Sequence, residues 1–313
     1  MFEKKSIKFD GKDAISVTRL GPYSLTDTME CGQCFRYEKV VRPDGITEYL
    51  TVVGNTLIRV IEIQRGELIF PEMSDEVFER VARPYFSLDL NLEEVREDII
   101  ASTDSEWLKE AAQFASGIAI LKQDPWEALV SFIISQNNNI PRIRKIVREI
   151  CTHYGTNLSL QNDNNSCPLR LIDGKPCENI CSTCGRCYTF PRAIDIARDP
   201  EGLLPSKPGF RYSYILDAAD AVVSGRIDLD EIASRANYEY TVTRLKEIKG
   251  VGDKVASCVA LFGMSNLEAF PIDVWMKRAI DTYFDGSLDP STLGKYAGIA
   301  QQYIFHYIRH INK

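Results

Sequence analysis

The chain has 313 residues, of which 44% are hydrophobic and 26% charged, the balance of an ordinary soluble globular protein. This composition excludes a mainly disordered chain, and no apolar run reaches the roughly 18 residues that a membrane span needs. The net charge is −7 and is unevenly distributed. Residues 1–120 contain 14 basic and 22 acidic residues, so the excess of acidic residues lies in this part of the chain. Any contact with nucleic acid must therefore come from local basic clusters in the remainder.

The chain length predicts two or three domains, and the first residues lack the apolar core of a secretory signal. Clusters of β-branched and aromatic residues, separated by glycine-containing turns, predict strands over 49–53, 57–63 and 67–70. From about residue 105, apolar spacing predicts helices over 125–136, 141–153, 211–223, 238–248, 253–263, 274–283 and 290–311. The sequence therefore predicts an α+β protein, with an antiparallel β-rich domain over 1–105 and an all-helical domain over 106–313.

A polar, cysteine-rich stretch over 157–187 interrupts the helical part and is interpreted as an insertion. Four cysteines lie within eleven residues of it: Cys177, Cys181, Cys184 and Cys187. In an intracellular protein such a density usually indicates a metal site. Structural zinc is the favoured hypothesis, an iron–sulfur cluster and no metal are the alternatives, and the insertion is expected to lie outside the chemistry.

The segment 245–258, LKEIKGVGDKVASC, reads as a helix end, a glycine turn and a new helix. Gly250 and Gly252 permit a tight turn with uncovered N–H groups, which suit a phosphate. Lys254 follows in the first helical turn, and Cys258 lies on the same helix face. Lysine at such a position is usually solvated, but a neutral amine can also attack the C1′ of a deoxyribose. Asp273 precedes an apolar helix as an N-cap does.

Lys254 in this hairpin and Asp273 nineteen residues later resemble the helix-hairpin-helix DNA glycosylases that have lyase activity. Four further segments resemble the eukaryotic-type 8-oxoguanine DNA glycosylase/lyase family: ECGQCFR at 30–36, SQNNNIPR at 135–142, PGFRYSY at 208–214 and YAGIAQQYIF at 296–305. The resemblance follows the chain in order outside 157–187. It implies that Lys254 is the nucleophile and that Asp273 both caps its helix and stabilises the developing sugar cation.

The resemblance also implies how the damaged base is recognised. The Gly32 carbonyl would accept a hydrogen bond from N7 of 8-oxoguanine, where guanine has an acceptor instead. Gln301 would read the Watson–Crick edge, while Phe305 and Cys258 would stack on the two faces of the base. From the residues alone, Gly32 is a turn glycine, and Gln301 and Phe305 are a pair on one face of a long helix.

For the DNA itself, the resemblance implies that Phe210 and Asn137 fill the space left by the extruded base. Arg142 and Arg211 would donate to the unpaired cytosine. The alternative is a solvated basic helix face that includes Arg142, Arg144, Lys145 and Arg148.

Four positions depart from the family pattern. Phe210 stands where tyrosine is frequent, and Lys249 stands where proline is usual. Trp275 and Ile308 replace a phosphate-contacting histidine and its acidic partner. The resemblance therefore does not imply this phosphate contact for the present chain. It also does not imply how strictly the chain selects the base opposite the lesion.

The sequence thus predicts a bifunctional enzyme that excises 8-oxoguanine, expected opposite cytosine, from double-stranded DNA and cuts the strand by β-elimination without a cofactor. We expect a monomer in the cytoplasm or at the nucleoid, with no membrane contact. One alternative is an alkylpurine glycosylase of the same superfamily, which would lack Lys254. The other is a non-catalytic DNA-binding module, which leaves Asp273, Gln301 and Gly32 unexplained.

Overall fold

The computed structural model describes residues 2–19, 21–42, 44–158 and 186–312, and the backbone of 171–172 and 175–176. Six strands form one sheet in the order β1-β2-β6-β5-β4-β3, with every pairing antiparallel. The strands are β1 (Phe2–Phe9), β2 (Lys12–Arg19), β3 (Tyr37–Val41), β4 (Thr47–Val53), β5 (Thr56–Gln64) and β6 (Glu67–Pro71). The strands β7 (Leu171–Ile172) and β8 (Lys175–Pro176) pair separately. Helices follow the sheet, so the α+β prediction is confirmed.

The helices carry the rest of the chain. They are α1 (Leu25–Glu30), α2 (Asp75–Val77), α3 (Arg83–Tyr85), α4 (Leu92–Ala101), α5 (Glu106–Phe114), α6 (Pro125–Ser135), α7 (Ile140–Tyr154), α8 (Ala193–Arg198), α9 (Arg211–Val223), α10 (Leu229–Ser234), α11 (Tyr238–Leu245), α12 (Asp253–Met264), α13 (Val274–Tyr283) and α14 (Ala297–Ile311). A π-helical turn (Phe78–Ala82) joins α2 to α3, and 3₁₀ turns cover Pro200–Ser206 and Pro290–Tyr296. Apart from the short α1, which lies between β2 and β3, the helices thus begin at Asp75, earlier than predicted.

The predicted single helix over 290–311 was wrong in its first part. Pro290–Tyr296 is a 3₁₀ turn, and Gly294 has φ 65° and ψ −153°, which no α-helix contains. The regular helix α14 begins only at Ala297. Because glycine adopts positive φ without a steric penalty, Gly294 separates the two helical stretches.

Two large hydrophobic clusters each draw residues from both halves of the chain, and a small third cluster of Ala14, Ile61 and Ile69 lies within the sheet. Cys31 and Phe35 pack into the cluster of the helical part. Ala119 and Leu121 pack into the cluster beneath the sheet. The division at residue 105 stays a prediction. Within the described residues, no helix has the length and apolarity to cross a membrane.

Candidate active site

The hairpin between α11 and α12 contains two glycines, and the packing of the chain itself requires glycine only at Gly250. Gly250 has φ +81°, and a methyl group built on it would lie 2.3 Å from the Tyr214 ring, so only glycine fits. A methyl group on Gly252 would meet nothing within 4 Å. Gly252 is the N-cap of α12 and supplies no side-chain cap bond. The first N–H groups of α12 are therefore available to an anion such as a DNA phosphate.

Lys254 lies in the first turn of α12 and is half-buried. Its Nζ donates to the Ser135 Oγ over 3.1 Å and lies 5.3 Å from the centroid of the Phe132 ring. Lys254 forms no ion pair with any carboxylate that the structure describes. A neutral hydroxyl and an aromatic face therefore hold the amine in place.

Asp273 caps α13, where its Oδ1 accepts from the Met276 N–H at 2.9 Å. The pKa of the buried Cys258 thiol is affected by the charges of both Lys254 and Asp273. Burial raises the pKa of Cys258 to about 11, the Lys254 charge opposes this rise and the Asp273 charge adds to it. Lys254, Cys258 and Asp273 therefore lie in one neighbourhood, although Lys254 and Asp273 form no direct ion pair.

The second group of predicted residues surrounds Gly32, whose φ is +93°. A methyl group built on Gly32 would lie 3.6 Å from Phe305 Cε1, 3.7 Å from Ile140 Cδ1 and 3.9 Å from Arg309 Nη1. Gly32 and Phe305 therefore share one small enclosure, and their roles in base recognition stay predictions. Gln301, one turn before Phe305 on α14, is buried, and its Oε1 accepts from the Gln302 Nε2 at 2.7 Å.

Gln33 fixes the position of Gly32. Its side chain is fully buried, and its Nε2 donates to the carbonyls of Thr28 and Ala119, each at 2.8 Å. Its Oε1 accepts from the Leu121 N–H, also at 2.8 Å. The bonds to Ala119 and Leu121 tie the chain around Gly32 to the segment that precedes α6, and the bond to Thr28 ties it to α1.

The third group lies at the asparagine loop, residues 136–139, which joins α6 to α7. Asn137 is exposed and has φ +46°, a left-handed conformation that asparagine tolerates better than most residues. Arg211 is buried and donates from Nε to the Gln136 carbonyl at 2.8 Å, and from Nη2 to the Asn137 carbonyl at 3.0 Å. The Arg211 guanidinium thus holds the loop conformation that presents Asn137.

Phe210 and Arg142 flank this loop at the surface. Phe210 is 51% exposed, and the Arg211 Cζ lies 4.3 Å from its ring centroid. Burial lowers the pKa of Arg211, and the positive charge of Arg142 lowers it further. Arg142 is exposed and lies near the Arg211 guanidinium. The proposed contacts of Arg142 and Arg211 with an unpaired cytosine stay predictions.

The basic helix face is only partly available to DNA. Arg148 pairs with Glu38 at 2.6 Å, and Arg144 approaches the same carboxylate at 3.7 Å. Lys145 is exposed and lies 3.8 Å from Glu149. Arg142 alone of the four cations has no carboxylate within ion-pair distance among the residues that the structure covers. A uniformly solvated basic face is therefore not what the chain forms.

Trp275 on α13 and Ile308 on α14, which depart from the family pattern, have different environments. Trp275 is half-buried, and the Arg278 Cζ lies 5.1 Å from its ring centroid. Ile308 is fully buried in the core. Ile308 cannot contact DNA, whereas Arg278 places a cation beside the position of the absent histidine.

Of the cysteines predicted to bind zinc, Cys177, Cys181 and Cys184 lie outside the described residues. Cys187 is buried. Within the described ranges, no group of three or more His, Cys, Asp or Glu side chains is placed to hold a metal ion. The zinc site stays a prediction.

One short segment touches all three groups of predicted residues. Ser135 accepts from Lys254, the Asn137 carbonyl accepts from Arg211, and Ile140 contacts Gly32. Sequence reasoning did not assign roles to Ser135 or Ile140, although both belong to the segment that carried the family resemblance. The Ser135–Lys254 contact spans 119 positions, so no local pattern could have revealed it.

Comparisons with known proteins show which family the chain resembles over its length. The family model for the N-terminal domain of 8-oxoguanine DNA glycosylase matches residues 16–129. The N-glycosylase/DNA lyase of Saccharomyces cerevisiae is 28% identical over 295 residues, which cover 87% of this chain and 70% of that protein.

Two solved structures are similar over the whole chain. MBOgg1 in complex with a low-affinity DNA ligand is 31% identical, with a TM-score of 0.80, and the match covers 99% of this chain and 100% of that one. The Clostridium acetobutylicum 8-oxoguanine glycosylase/lyase, in complex with double-stranded DNA containing cytosine opposite 8-oxoguanine, is 29% identical with a TM-score of 0.79. That match covers 100% of this chain and 99% of the other.

Proposed function

Because the chain belongs to the 8-oxoguanine DNA glycosylase/lyase family, we propose that it excises 8-oxoguanine from double-stranded DNA and then cuts the strand. The observation that carries this proposal is the segment 135–140. It links the amine of Lys254, the enclosure at Gly32 and the exposed asparagine loop within six residues. A nucleophile, a place to hold the extruded base and a loop that faces DNA are the three parts that a base-extruding lyase needs.

The chemistry starts at the neutral amine of Lys254. Its lone pair attacks C1′ of the damaged nucleotide, the glycosidic C–N bond breaks, and its electron pair leaves with the base. The proton lost by the amine neutralises the departing base. The Asp273 carboxylate, fixed as a helix cap, stabilises the positive charge that develops on the sugar. No cofactor is needed, because the chain supplies the nucleophile.

The product of this attack opens to a Schiff base between Lys254 and C1′. Loss of a proton from C2′ then breaks the C3′–O bond, and the 3′ phosphate leaves. Water hydrolyses the Schiff base and restores the amine. The hydroxyl of Ser135 holds Nζ near the reacting carbon and does not compete as a base, because an ordinary hydroxyl is a weak one.

Recognition of the lesion requires the base to leave the duplex. The Gly32 carbonyl accepts from N7–H, Gln301 reads the Watson–Crick edge, and Phe305 stacks on one face. Guanine presents a lone pair at N7, so its approach to a carbonyl is repulsive. Because 8-oxoguanine forms this hydrogen bond and guanine does not, the bond should favour binding of 8-oxoguanine over guanine by about 1–3 kcal/mol.

The duplex is held at the hairpin and at the asparagine loop. The N–H groups after Gly252 bind a phosphate, while the exposed Phe210 and Asn137 occupy the gap left by the base. Arg142 and Arg211 donate to the unpaired cytosine. All of these groups come from one chain, so a monomer acting on chromosomal DNA suffices.

A duplex with a single 8-oxoguanine opposite cytosine tests the proposal. We expect release of free 8-oxoguanine, detected by mass spectrometry, together with a strand cut 3′ to the lesion. The matched duplex with guanine should remain intact. A third duplex carries 3-methyladenine, and base release from it without release from the 8-oxoguanine duplex would favour the alkylpurine alternative. Tight binding without any base release would favour the non-catalytic module.

For the insertion, we propose structural zinc bound by Cys177, Cys181, Cys184 and Cys187, supported by their spacing alone. Elemental analysis of the purified protein tests it. We expect about one zinc ion per chain in the wild type and loss of the zinc in the Cys181→Ser variant. Iron with acid-labile sulfide would instead indicate a cluster, and a metal-free protein with full activity would contradict the proposal.

A further inference from the structure

An arginine stands at the rim of the enclosure around Gly32. Arg309 is one turn after Phe305 on α14, and its Cζ lies 5.1 Å from the Phe305 ring centroid. Its Nη1 lies 3.9 Å from a methyl group built on Gly32. Arg309 is half-buried, so the guanidinium faces the enclosure rather than bulk solvent alone.

The donors of Arg309 are uncommitted, unlike those of its counterparts in the site. Arg211 donates to the backbone of the asparagine loop, and Arg148 pairs with Glu38. Arg309 has neither an ion pair nor a hydrogen bond with any residue that the structure describes. A half-buried guanidinium with five free N–H groups can form new hydrogen bonds to a ligand without first breaking existing ones.

The chemistry of the damaged base identifies what such a donor would meet. In the proposed function, the Gly32 carbonyl accepts from N7–H and Gln301 reads the edge that carries O6. The atom next to N7 on the other side is C8, and its oxygen, O8, is an acceptor that guanine lacks. A cation beside Gly32 is therefore placed next to the position that O8 would occupy, and O8 is an acceptor that neither Gly32 nor Gln301 contacts.

We propose that Arg309 is a specificity-determining residue that donates to O8 of the extruded base. The inference rests on the proposed function and extends it, because it adds a second contact that reads the oxidised position directly. Gly32 tests for the proton on N7, whereas Arg309 tests for the oxygen on C8. The ring of Phe305 orients the guanidinium by a cation–π contact.

The test compares the wild type with Arg309→Leu and Arg309→Lys on three duplexes. The first contains 8-oxoguanine, and the second contains 8-thioguanine, which keeps N7–H but presents a weaker sulfur acceptor. The third contains a tetrahydrofuran abasic site and has no base to read. Single-turnover base release is measured on the first two and the dissociation constant on all three. Arg235→Leu is the matched control, since Arg235 lies over the Tyr240 ring at 4.4 Å, outside the site.

We expect Arg309→Leu to weaken productive binding of 8-oxoguanine by about tenfold to a hundredfold, the range of one charge-assisted hydrogen bond. The loss should be smaller on 8-thioguanine and absent on the abasic duplex. Arg309→Lys should be intermediate, because it retains the charge without the planar fork. Arg235→Leu should match the wild type on every duplex.

Three results would overturn the inference while leaving the proposed function intact. An equal loss on the abasic duplex would mean that Arg309 contacts the DNA backbone. Unchanged excision by Arg309→Leu would mean that the guanidinium only packs on Phe305. Faster excision by this variant would mean that Arg309 blocks the enclosure. A wild type that releases no 8-oxoguanine would instead overturn the proposed function itself.

Discussion

Gln33 provides the sharpest test of how the recognition enclosure is held together. The Gln33→Met variant keeps nearly the same volume but removes the side-chain amide that forms three buried hydrogen bonds, each 2.8 Å long. The carbonyls of Thr28 and Ala119 and the N–H of Leu121 then lose this partner where water does not reach them. Since each buried group without its partner costs about 1–2 kcal/mol, the free energy of unfolding should fall by about 3–6 kcal/mol.

Urea unfolding followed by circular dichroism measures this change as a lower midpoint at an unchanged slope. Gln113→Met is the matched control, because Gln113 is exposed on α5 and its substitution should change stability by no more than about 0.5 kcal/mol. Excision of 8-oxoguanine should fall as well, because Gly32 adjoins Gln33. A loss below about 1 kcal/mol for Gln33→Met would refute the reasoning that these bonds fix the enclosure.

Two further predictions concern the hairpin and the thiol beside Lys254. Gly250→Ala should weaken duplex binding at least about tenfold, because the new methyl group would lie 2.3 Å from the Tyr214 ring. The control is Gly225→Ala, whose methyl group would meet nothing within 4 Å. That substitution should cost only about 1 kcal/mol of backbone strain. Equal binding by the two variants, measured by fluorescence anisotropy, would contradict this. The Cys258 thiol, whose pKa is raised by burial to about 11, stays protonated while its unfolded counterpart ionises near 9. Its contribution to stability is therefore complete below pH 9 and lost as pH rises from 9 to 11. In urea titrations, Cys258→Ala should reduce this loss by up to about 1.4 kcal/mol per pH unit, and an unchanged pH profile would contradict the assignment.

The sequence predicts helices well where local signals mark both ends. The bounds of α9 and α13 were predicted to the residue, since Asp273 caps α13 and the glycine turn at Gly209 precedes α9. The short helix α1 was missed, because six residues carry too little periodicity. The break at Gly294 was missed because one glycine within an apolar pattern is usually tolerated.

Within the candidate site, the sequence predicts roles for residues whose chemistry is visible in a motif, such as Lys254 and Gly32. It did not identify those whose role depends on distant partners. Gln33 bonds to residues 86 and 88 positions away, and nothing nearby indicates that its amide is buried. Arg309 resembles any basic residue in the last turn of a helix, and only the folded chain brings it to Gly32. Contacts between residues far apart in the sequence are therefore the part of the site that local sequence patterns do not reveal.

The most direct test of the account is borohydride trapping on a duplex with 8-oxoguanine opposite cytosine. Borohydride reduces the Schiff base and leaves the protein joined to DNA. The account predicts a covalent band for the wild type and for Lys246→Gln, a control lysine of the same hairpin that pairs with Asp253. It predicts no band for Lys254→Gln and none with guanine in place of the lesion. Trapping by Lys254→Gln at the wild-type level, or base release by the wild type without any trapped species, would contradict Lys254 as the nucleophile.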